Sequence, residues 1–186
     1  VYKTGVTAKA LDWQIIRKDE TKRYIEVSVS LQKNSSGQPI GFQGIARDIT
    51  ERKQAEDALR ESEEKYRTIL EEMDDVYFEV DIKGNITFVN PSSCKMSGYS
   101  EEELLGMPFK KISASDDIEK VMQYFGEIFL TDKTGKPFLW NLVKKNGEQG
   151  FFEIVVSLIR DKNVDPIGFR GIGRDVTERR QAEETL

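Results

Sequence analysis

The chain has 186 residues, slightly more than one typical domain, and 38% of them are hydrophobic, which is enough to bury a core. A net charge of −5 argues against a nucleic-acid partner, because binding to phosphates needs a basic surface. The sequence contains no histidine, which excludes histidine-ligated haem, histidine metal sites and the common Ser-His-Asp and Cys-His mechanisms. It also lacks a phosphate-binding loop and a metal-ligand cluster, so we expect no catalytic residues and no metal site in this chain.

No apolar run approaches the roughly 18 residues that span a membrane, so we expect no membrane contact by this segment. The single cysteine fits a reducing compartment. Together these features predict a cytoplasmic location, and they leave open whether a longer parent protein is anchored in a membrane elsewhere.

A long internal repeat sets the organisation of the chain. The stretch 41–52, GFQGIARDITER, recurs about 127 residues later as 168–179, GFRGIGRDVTER. At this offset the first 59 residues align without gaps, with roughly 24 identities. Such a period is too long for a solenoid repeat and fits a small domain. The sequence therefore predicts the carboxyl-terminal part of one domain, then a linker, then a complete second copy.

Residues 9–48 supply three predicted strands of the first copy, with apolar side chains such as Ile25, Val27 and Val29 on one face. This copy begins in its middle, so its strands lack the first hairpin and the helices of the second copy. A sheet without these elements presents an open edge. We expect another chain, or the equivalent segment across a dimer, to complete it.

The linker is predicted to be a helix that starts near Thr50. Its apolar positions recur at alternating spacings of 4 and 3, which is typical of a heptad seam, here interrupted by Ser62. Two interpretations remain open: a single amphipathic helix folded back on its own domain, or the parallel two-stranded coiled coil of a homodimer. A coiled-coil seam can transmit a small rotation or register change between modules. The predicted dimer seam consists of Ala55, Leu59, Tyr66, Ile69 and Met73.

The second copy begins with a hairpin, predicted over residues 75–82 and 86–89 by alternating apolar and polar residues. Short helical pieces follow, and Ser100 with Glu103 forms a capping box. Ser115 is the predicted N-cap of a longer helix. The apolar face of that helix is predicted from helical spacing to be Ile118, Val121, Met122, Phe125 and Phe129.

Three predicted strands close the second copy, at about residues 138–144, 150–160 and 167–176. The order of two strands, several helices and three strands predicts an α+β fold, an antiparallel sheet with helices on one face.

Three stretches carry a resemblance to a known family: residues 81–91 (DIKGNITFVNP), 98–106 (GYSEEELLG) and 168–179. They resemble the first hairpin, the short-helix segment, and the last strand with its Asp-x-Thr exit in the PAS domains of bacterial signalling proteins. The resemblance covers about residues 63–178 in full. It implies a PAS-like five-stranded sheet whose last strand lies beside its first, and a sensor-and-relay role without a particular stimulus.

The predicted domains follow from the repeat and the resemblance together. They are the carboxyl-terminal part of a first PAS domain (1–50), a coiled-coil-like helical linker (51–74), a complete PAS domain (75–177), and the start of a following linker helix (178–186). An Asp and a Thr stand at both strand-to-helix exits, and two interpretations of them remain open. They form a turn and an N-cap that start the helix, or their side chains hold the last strand to the helix and pass a distortion of the sheet outward. These signal-exit residues are Asp48, Thr50, Asp175 and Thr177.

Apolar side chains between the long helix and the sheet are either ordinary core or, by analogy with the family, the walls of a small-molecule pocket. Cys94 does not lie in the Asn-Cys-Arg-Phe-Leu-Gln setting of flavin-adduct photoreceptor domains. The occupant is unknown, and the sequence requires no cofactor. The candidate pocket residues are Ile118, Val121, Met122, Phe125, Trp140, Leu142, Ile154, Val156 and Gly171.

The predicted function is a non-catalytic sensory, signal-relay and dimerisation segment of a larger bacterial signal-transduction protein. Modules that it resembles feed sensor histidine kinases of two-component systems or cyclic-dinucleotide enzymes, with an output domain expected beyond Leu186. Two alternatives remain open: a haem- or flavin-binding redox or gas sensor, and a purely structural dimerisation spacer. The predicted partners are a second copy of the chain and a small-molecule ligand.

Overall fold

The computed structural model describes residues 8–184 and divides the chain into two compact units, residues 1–65 and 66–186. The first unit contains three strands, β1 (Ala8–Ile16), β2 (Lys22–Lys33) and β3 (Pro39–Asp48), in the order β1-β2-β3. Both neighbouring pairs are antiparallel. Helix α1 (Thr50–Glu72) follows directly, begins in the first unit and ends in the second.

The second unit has a five-stranded antiparallel sheet in the order β5-β4-β8-β7-β6. Its last strand lies between the first strand and β7, as the family resemblance implied. The α+β prediction is therefore confirmed. The strands are β4 (Val76–Asp81), β5 (Ile86–Val89), β6 (Phe138–Val143), β7 (Gln149–Arg160) and β8 (Pro166–Asp175).

The connection between β5 and β6 is helical. It contains α2 (Pro91–Ser97), α3 (Glu101–Leu104) and α4 (Ile118–Thr131), with 3₁₀ turns over Phe109–Lys111 and Ser115–Asp117. The capping box at α3 is confirmed, because Ser100 Oγ accepts a hydrogen bond from Glu103 N while the Glu103 carboxylate accepts one from Ser100 N. Helix α5 (Thr177–Glu184) follows β8.

The predicted start of the long helix is wrong. Ser115 opens a 3₁₀ turn, and the α-helix begins only at Ile118, with Asp117 at its N-cap position. The buried carboxylate of Asp117 accepts from the Asn141 backbone N–H at 3.1 Å and from Lys120 Nζ at 2.9 Å. This carboxylate therefore bonds to β6 and to Lys120 and makes no capping hydrogen bond to the start of the helix.

The core of the second unit lies between the sheet and the helices, and Val121, Phe125 and Ile128 anchor α4 in it. Two of the five predicted core positions on this helix, Met122 and Phe129, are exposed instead. The buried residues Val121, Phe125 and Ile128 follow one another at spacings of four and three, so only one narrow stripe of the helix faces the core.

The two sheets share one register, residue for residue. Val27 pairs with Ala46 as Ile154 pairs with Gly173, and both β2–β3 and β7–β8 have an irregularity before their final pair. The internal repeat is therefore a structural repeat in which β1, β2 and β3 correspond to β6, β7 and β8.

Candidate functional site

An apolar cavity of about 40 Å³ lies between the sheet and the helices of the second unit. Strands β4, β5, β6 and β7 form one wall, and α2, α3 and the 3₁₀ turn at Phe109 form the other. A typical ligand pocket has about 300–1,000 Å³, so this cavity admits only a molecule of a few heavy atoms. Its lining side chains are Val76, Phe78, Val80, Ile86, Val89, Ser93, Met96, Ser97, Leu104, Phe109, Ile112, Trp140, Leu142, Phe152 and Ile154.

The two polar lining side chains are already paired within the fold. Ser93 Oγ donates to Tyr77 O at 2.9 Å or Asn90 Oδ1 at 2.7 Å, and Ser97 Oγ lies 3.4 Å from Cys94 O. The walls otherwise offer apolar atoms, and the sequence contains no histidine. A haem or flavin does not fit this cavity, because a volume of about 40 Å³ is far below the 300–1,000 Å³ of a typical ligand pocket.

The structure separates the nine candidate pocket residues predicted from sequence. Trp140, Leu142 and Ile154 line the cavity. Met122 and Phe125 line a different, more open groove of about 470 Å³ beside the β4–β5 turn. The remaining four lie in neither: Val121 and Val156 are fully buried, Ile118 is half-buried, and Gly171 is covered by the ring of Phe78.

Both strand-to-helix exits have the same hydrogen bonds. Asp48 Oδ1 accepts from Thr50 N at 2.9 Å, and Asp175 Oδ1 accepts from Thr177 N at 2.8 Å. The threonine hydroxyl accepts from the neighbouring strand, from Tyr24 N in the first unit and Phe151 N in the second, at 2.9 Å in each case. Each threonine thus connects the first residue of a helix to β2 or β7, a contact that a simple N-cap does not make.

A second junction, which the sequence analysis missed, lies at the carboxyl end of α1. The buried side chain of Asn90 accepts from Tyr77 N at 2.9 Å and Ser93 N at 3.0 Å. Its amide group donates to Asp75 O at 3.0 Å and lies 3.4 Å from Leu70 O, in the last turn of α1. One residue therefore holds together the end of the linker helix, the start of β4 and the start of α2. The signal in the sequence was the Asn-Pro pair, which marks an N-cap as well as a strand end.

The two junctions are joined by an ion pair across β4 and β8. Arg174 Nε and Nη2 each lie 3.2 Å from one oxygen of the Asp75 carboxylate, and the bonds raise the pKa of Arg174. Asp75 follows the end of α1, and Arg174 precedes the Asp175 exit into α5. The ion pair therefore links the segment that enters the second unit to the segment that leaves it. It is solvent-exposed, and we therefore assign it a positioning role and little stability.

The predicted seam on α1 is open to solvent in the single chain. Ala55, Leu59, Tyr66 and Ile69 are exposed, while Met73 lies just beyond the helix and is half-buried. Three of these exposed side chains are large and apolar. An exposed apolar stripe on a helix is typical of a surface that packs against a partner.

Two further features of residues 8–184 bear on the chemistry of the chain, the free thiol of Cys94 and the distribution of acidic side chains. Burial raises the pKa of the free Cys94 thiol, which disfavours the nucleophilic thiolate. Residues 8–184 hold no cluster of three or more Cys, Asp or Glu side chains suited to a metal ion.

Across residues 8–184, no helix is both long and apolar enough to span a bilayer.

The family model for the PAS domain matches residues 2–51 and 74–178, which together make up more than half of the chain. The chain therefore belongs to the PAS domain family, and the sensory signalling role that the sequence resemblance implied stands. The solved PAS domain of an HTR-like protein from Haloarcula marismortui is similar in fold, with a TM-score of 0.58 and 24% identity. That match covers 66% of this chain and 98% of that one.

Similar curated proteins are much longer than this chain. The Escherichia coli (strain K12) protein named "Probable diguanylate cyclase DgcE" is 35% identical over 98 residues, which are 53% of this chain and 9% of that protein. Sporulation kinase C of Bacillus subtilis (strain 168) is 25% identical over 149 residues, 76% of this chain and 34% of the kinase. The chain thus spans about a third or less of the length of these relatives.

Proposed function

We propose that this chain is a signal-relay and dimerisation segment of a larger bacterial signalling protein, in which one helix leads into a PAS domain and another leads out. The output enzyme of that protein is a sensor histidine kinase, with a diguanylate cyclase as the second candidate. Kinase and cyclase names among the similar proteins support this pair of outputs. In this proposal the segment lies in the cytoplasm, is not catalytic itself, and belongs to a homodimer.

The observation that carries the relay is the repeated Asp-x-Thr exit. The same two hydrogen bonds hold the start of α1 and the start of α5 to the neighbouring strand. A strand and a helix that share such a part-buried hydrogen bond do not shift independently, because separating them leaves a backbone N–H without a partner. A small change in the sheet is therefore passed to the helix as a change in its direction.

The sensing element in this proposal is the apolar cavity of the second unit. The side chains of Phe78 and Val80, on β4, line the cavity. Strand β4 is hydrogen-bonded to β8, and β8 ends in the Asp-x-Thr exit. Filling or collapsing such a cavity changes the packing of its walls, since protein interiors tolerate little change of volume. A small apolar ligand could act in this way without any change in the polar network.

Dimerisation is assigned to α1. Leu59, Tyr66 and Ile69 present an apolar stripe at spacings of 7 and 3, which matches one heptad seam. Two parallel copies would bury this stripe, and a change of register or rotation at the seam would reach the next module. The alternative of a cofactor-binding redox sensor is disfavoured by the small apolar cavity, and a plain structural spacer is the outcome if no ligand or relay is found.

Native mass spectrometry of the intact chain tests both parts of the proposal. We expect a dimer, and a small defined mass bound to it when apolar ligands of a few heavy atoms are supplied. A monomer at every concentration would remove the dimeric relay, and a dimer that binds no such ligand would reduce the segment to a spacer.

A matched pair of variants locates the dimer contact. Leu59→Glu places a charge on the seam and should weaken the dimer at least about tenfold, because a buried unpaired carboxylate is costly. Gln54→Glu adds the same charge to the outward face of the same helix and should leave the dimer unchanged. Equal effects of the two variants would contradict the seam.

A further inference from the structure

A groove of about 470 Å³ opens at the surface of the second unit, between α4 and the β4–β5 turn. The buried rings of Phe125 and Phe169, with centroids 5.0 Å apart, line this groove. The Phe109 ring lines both the groove and the small cavity of the core. The volume of the groove is within the range of small-molecule pockets, about 300–1,000 Å³, whereas the cavity of the core is far below it.

Exposed apolar side chains gather around the groove. Met122, Phe129 and Leu130 are exposed on α4, and Ile82 is exposed at the end of β4. Single exposed apolar residues are common on protein surfaces, but a contiguous group of them marks a binding surface. These four side chains line one groove, so they form such a group.

Gly126 keeps the groove open in the interior of α4. A glycine in the middle of a helix is unfavourable, because it loses more backbone freedom on folding than other residues do. A Cβ at Gly126 would meet no atom within 4 Å, so no contact among the described residues requires a glycine there. Gly126 lines the groove, and a larger side chain would occupy its space. An occupant of the groove therefore explains the glycine, and packing within the unit does not.

Two lysines give one side of the groove a positive charge. Lys83 precedes Gly84 and Lys110 follows Phe109 in the sequence. Phe109 N donates to Gly84 O at 3.0 Å, so both exposed lysines lie on segments that are hydrogen-bonded to each other. None of the eleven lining residues is acidic, and the nearby Asp81 carboxylate is bonded to N–H groups of its own turn. Within residues 8–184 no carboxylate forms an ion pair with either ammonium group, so this side of the groove favours an anion.

We propose that this groove binds an amphiphilic anion, with an alkyl chain of medium length against the apolar side chains of α4 and a carboxylate beside Lys83 and Lys110. Met122 and Leu130 lie about 12 Å apart along the helix, which limits the length of the chain. A protein partner is disfavoured, because a stable interface takes about 20–30 residues from each side and the groove has eleven lining residues. The inference goes beyond the proposed function, since it needs neither the α1 dimer nor a ligand in the cavity.

Dissolved decanoate is the probe, used below the concentration at which it forms micelles. Titration of the isotope-labelled chain, followed by amide NMR, reports affinity and location together. We expect saturable binding with the largest shifts at Gly84, Lys110 and Gly126, and at least about fivefold weaker binding of decyltrimethylammonium, which carries the opposite charge. Absence of saturable binding, or shifts confined to α1 or to Ser93 and Ser97 at the cavity, would overturn the site. Equal binding of the two amphiphiles would overturn the selection of an anion.

A first pair of variants tests the space over the glycine. Gly126→Leu fills the groove and should abolish decanoate binding, whereas Thr131→Leu, at an exposed position of α4 outside the groove, should keep it. Leucine is a better helix former than glycine, so the first variant keeps α4 folded. Equal effects of the two variants would overturn the proposal. Binding of the chain to phosphatidylglycerol vesicles without saturable binding of decanoate would show a membrane contact and would overturn it as well.

A second pair of variants tests the charge. Lys83→Gln combined with Lys110→Gln should weaken decanoate binding about fivefold and should not weaken that of decyltrimethylammonium. Lys95→Gln combined with Lys162→Gln removes the same charge from exposed positions outside the groove and should leave both unchanged. Equal losses in the two pairs would show a general charge effect and would overturn the carboxylate position. Leu59→Glu, which tests the α1 dimer, leaves the groove intact, so the two proposals fail separately.

Discussion

The two halves of the repeat differ in burial far more than in sequence or register. Trp13 is 53% exposed and Trp140 is 4% exposed, and Phe42 is 57% exposed while Phe169 is 6% exposed. The strands that carry these residues pair in the same register in both units. Strand pairing is thus specified by the three strands themselves, whereas a buried core needs the hairpin and the helices as well.

The largest expected difference between the units is at the two tryptophans. Trp140→Ala should destabilise the second unit by about 3–5 kcal/mol, because it opens a large cavity and removes the hydrogen bond from the indole N–H to Ser113 Oγ. Trp13→Ala should cost the first unit less than about 0.5 kcal/mol, since its side chain is exposed. Both losses of stability can be measured by hydrogen exchange of peptides from each sheet during unfolding in denaturant. A comparable loss at Trp13 would show that its face is covered in solution.

The exit threonines should behave alike, in contrast to the tryptophans. Thr50→Val and Thr177→Val each remove the hydroxyl that accepts a backbone N–H from the adjacent strand. We expect about 1–3 kcal/mol of lost stability in each unit. Exchange of the Tyr24 and Phe151 amides reports each bond directly. A loss of stability for Thr177→Val alone would contradict a relay role for the first exit.

Smaller effects, opposite in sign in the two units, are expected in the turns before the last strands. Val164 adopts φ +70°, and its repeat equivalent Gly37 adopts φ +79°. A β-branched residue is strained there, while glycine is not. Val164→Gly should stabilise the second unit by about 1 kcal/mol, and Gly37→Val should destabilise the first by a similar amount. Thermal unfolding of the two variants beside the original chain checks the signs, and loss of stability in both would contradict the strain.

The last expected effect is a pH dependence of the second unit at high pH. Burial, and then its hydrogen bond to Glu79, raises the pKa of Tyr77 to about 12. In the unfolded chain this pKa is about 10, so the stabilising contribution is complete below pH 10 and is lost as the pH rises to about 12. Tyrosinate absorbance should show a late titration near pH 12 that Tyr77→Phe removes. Persistence of that late step in the variant would assign it to another tyrosine.

Much of the site could be predicted from local sequence, and the predictions that were wrong or missing share one cause. The Asp-x-Thr exits and the Ser100 capping box depend on residues two or three apart, so short patterns identify them. The cavity depends on side chains from separate elements, and helical spacing alone placed Met122 and Phe129 in the core although both are exposed. Asn90 was missed for the same reason, because its partners Leu70 and Tyr77 lie 20 and 13 residues away.

The sequence by itself determined the repeat, the antiparallel strands, the helical linker and the family, because these depend on periodicity and on short motifs. Only the tertiary structure decided which apolar residues are buried, since burial depends on what each strand has beside it. Gly44 and Gly171 occupy equivalent positions of the repeated motif, in GFQGI and GFRGI. One lies under an aromatic ring and the other is open, because β4 is the neighbour of β8, whereas in the described residues β3 has β2 alone beside it.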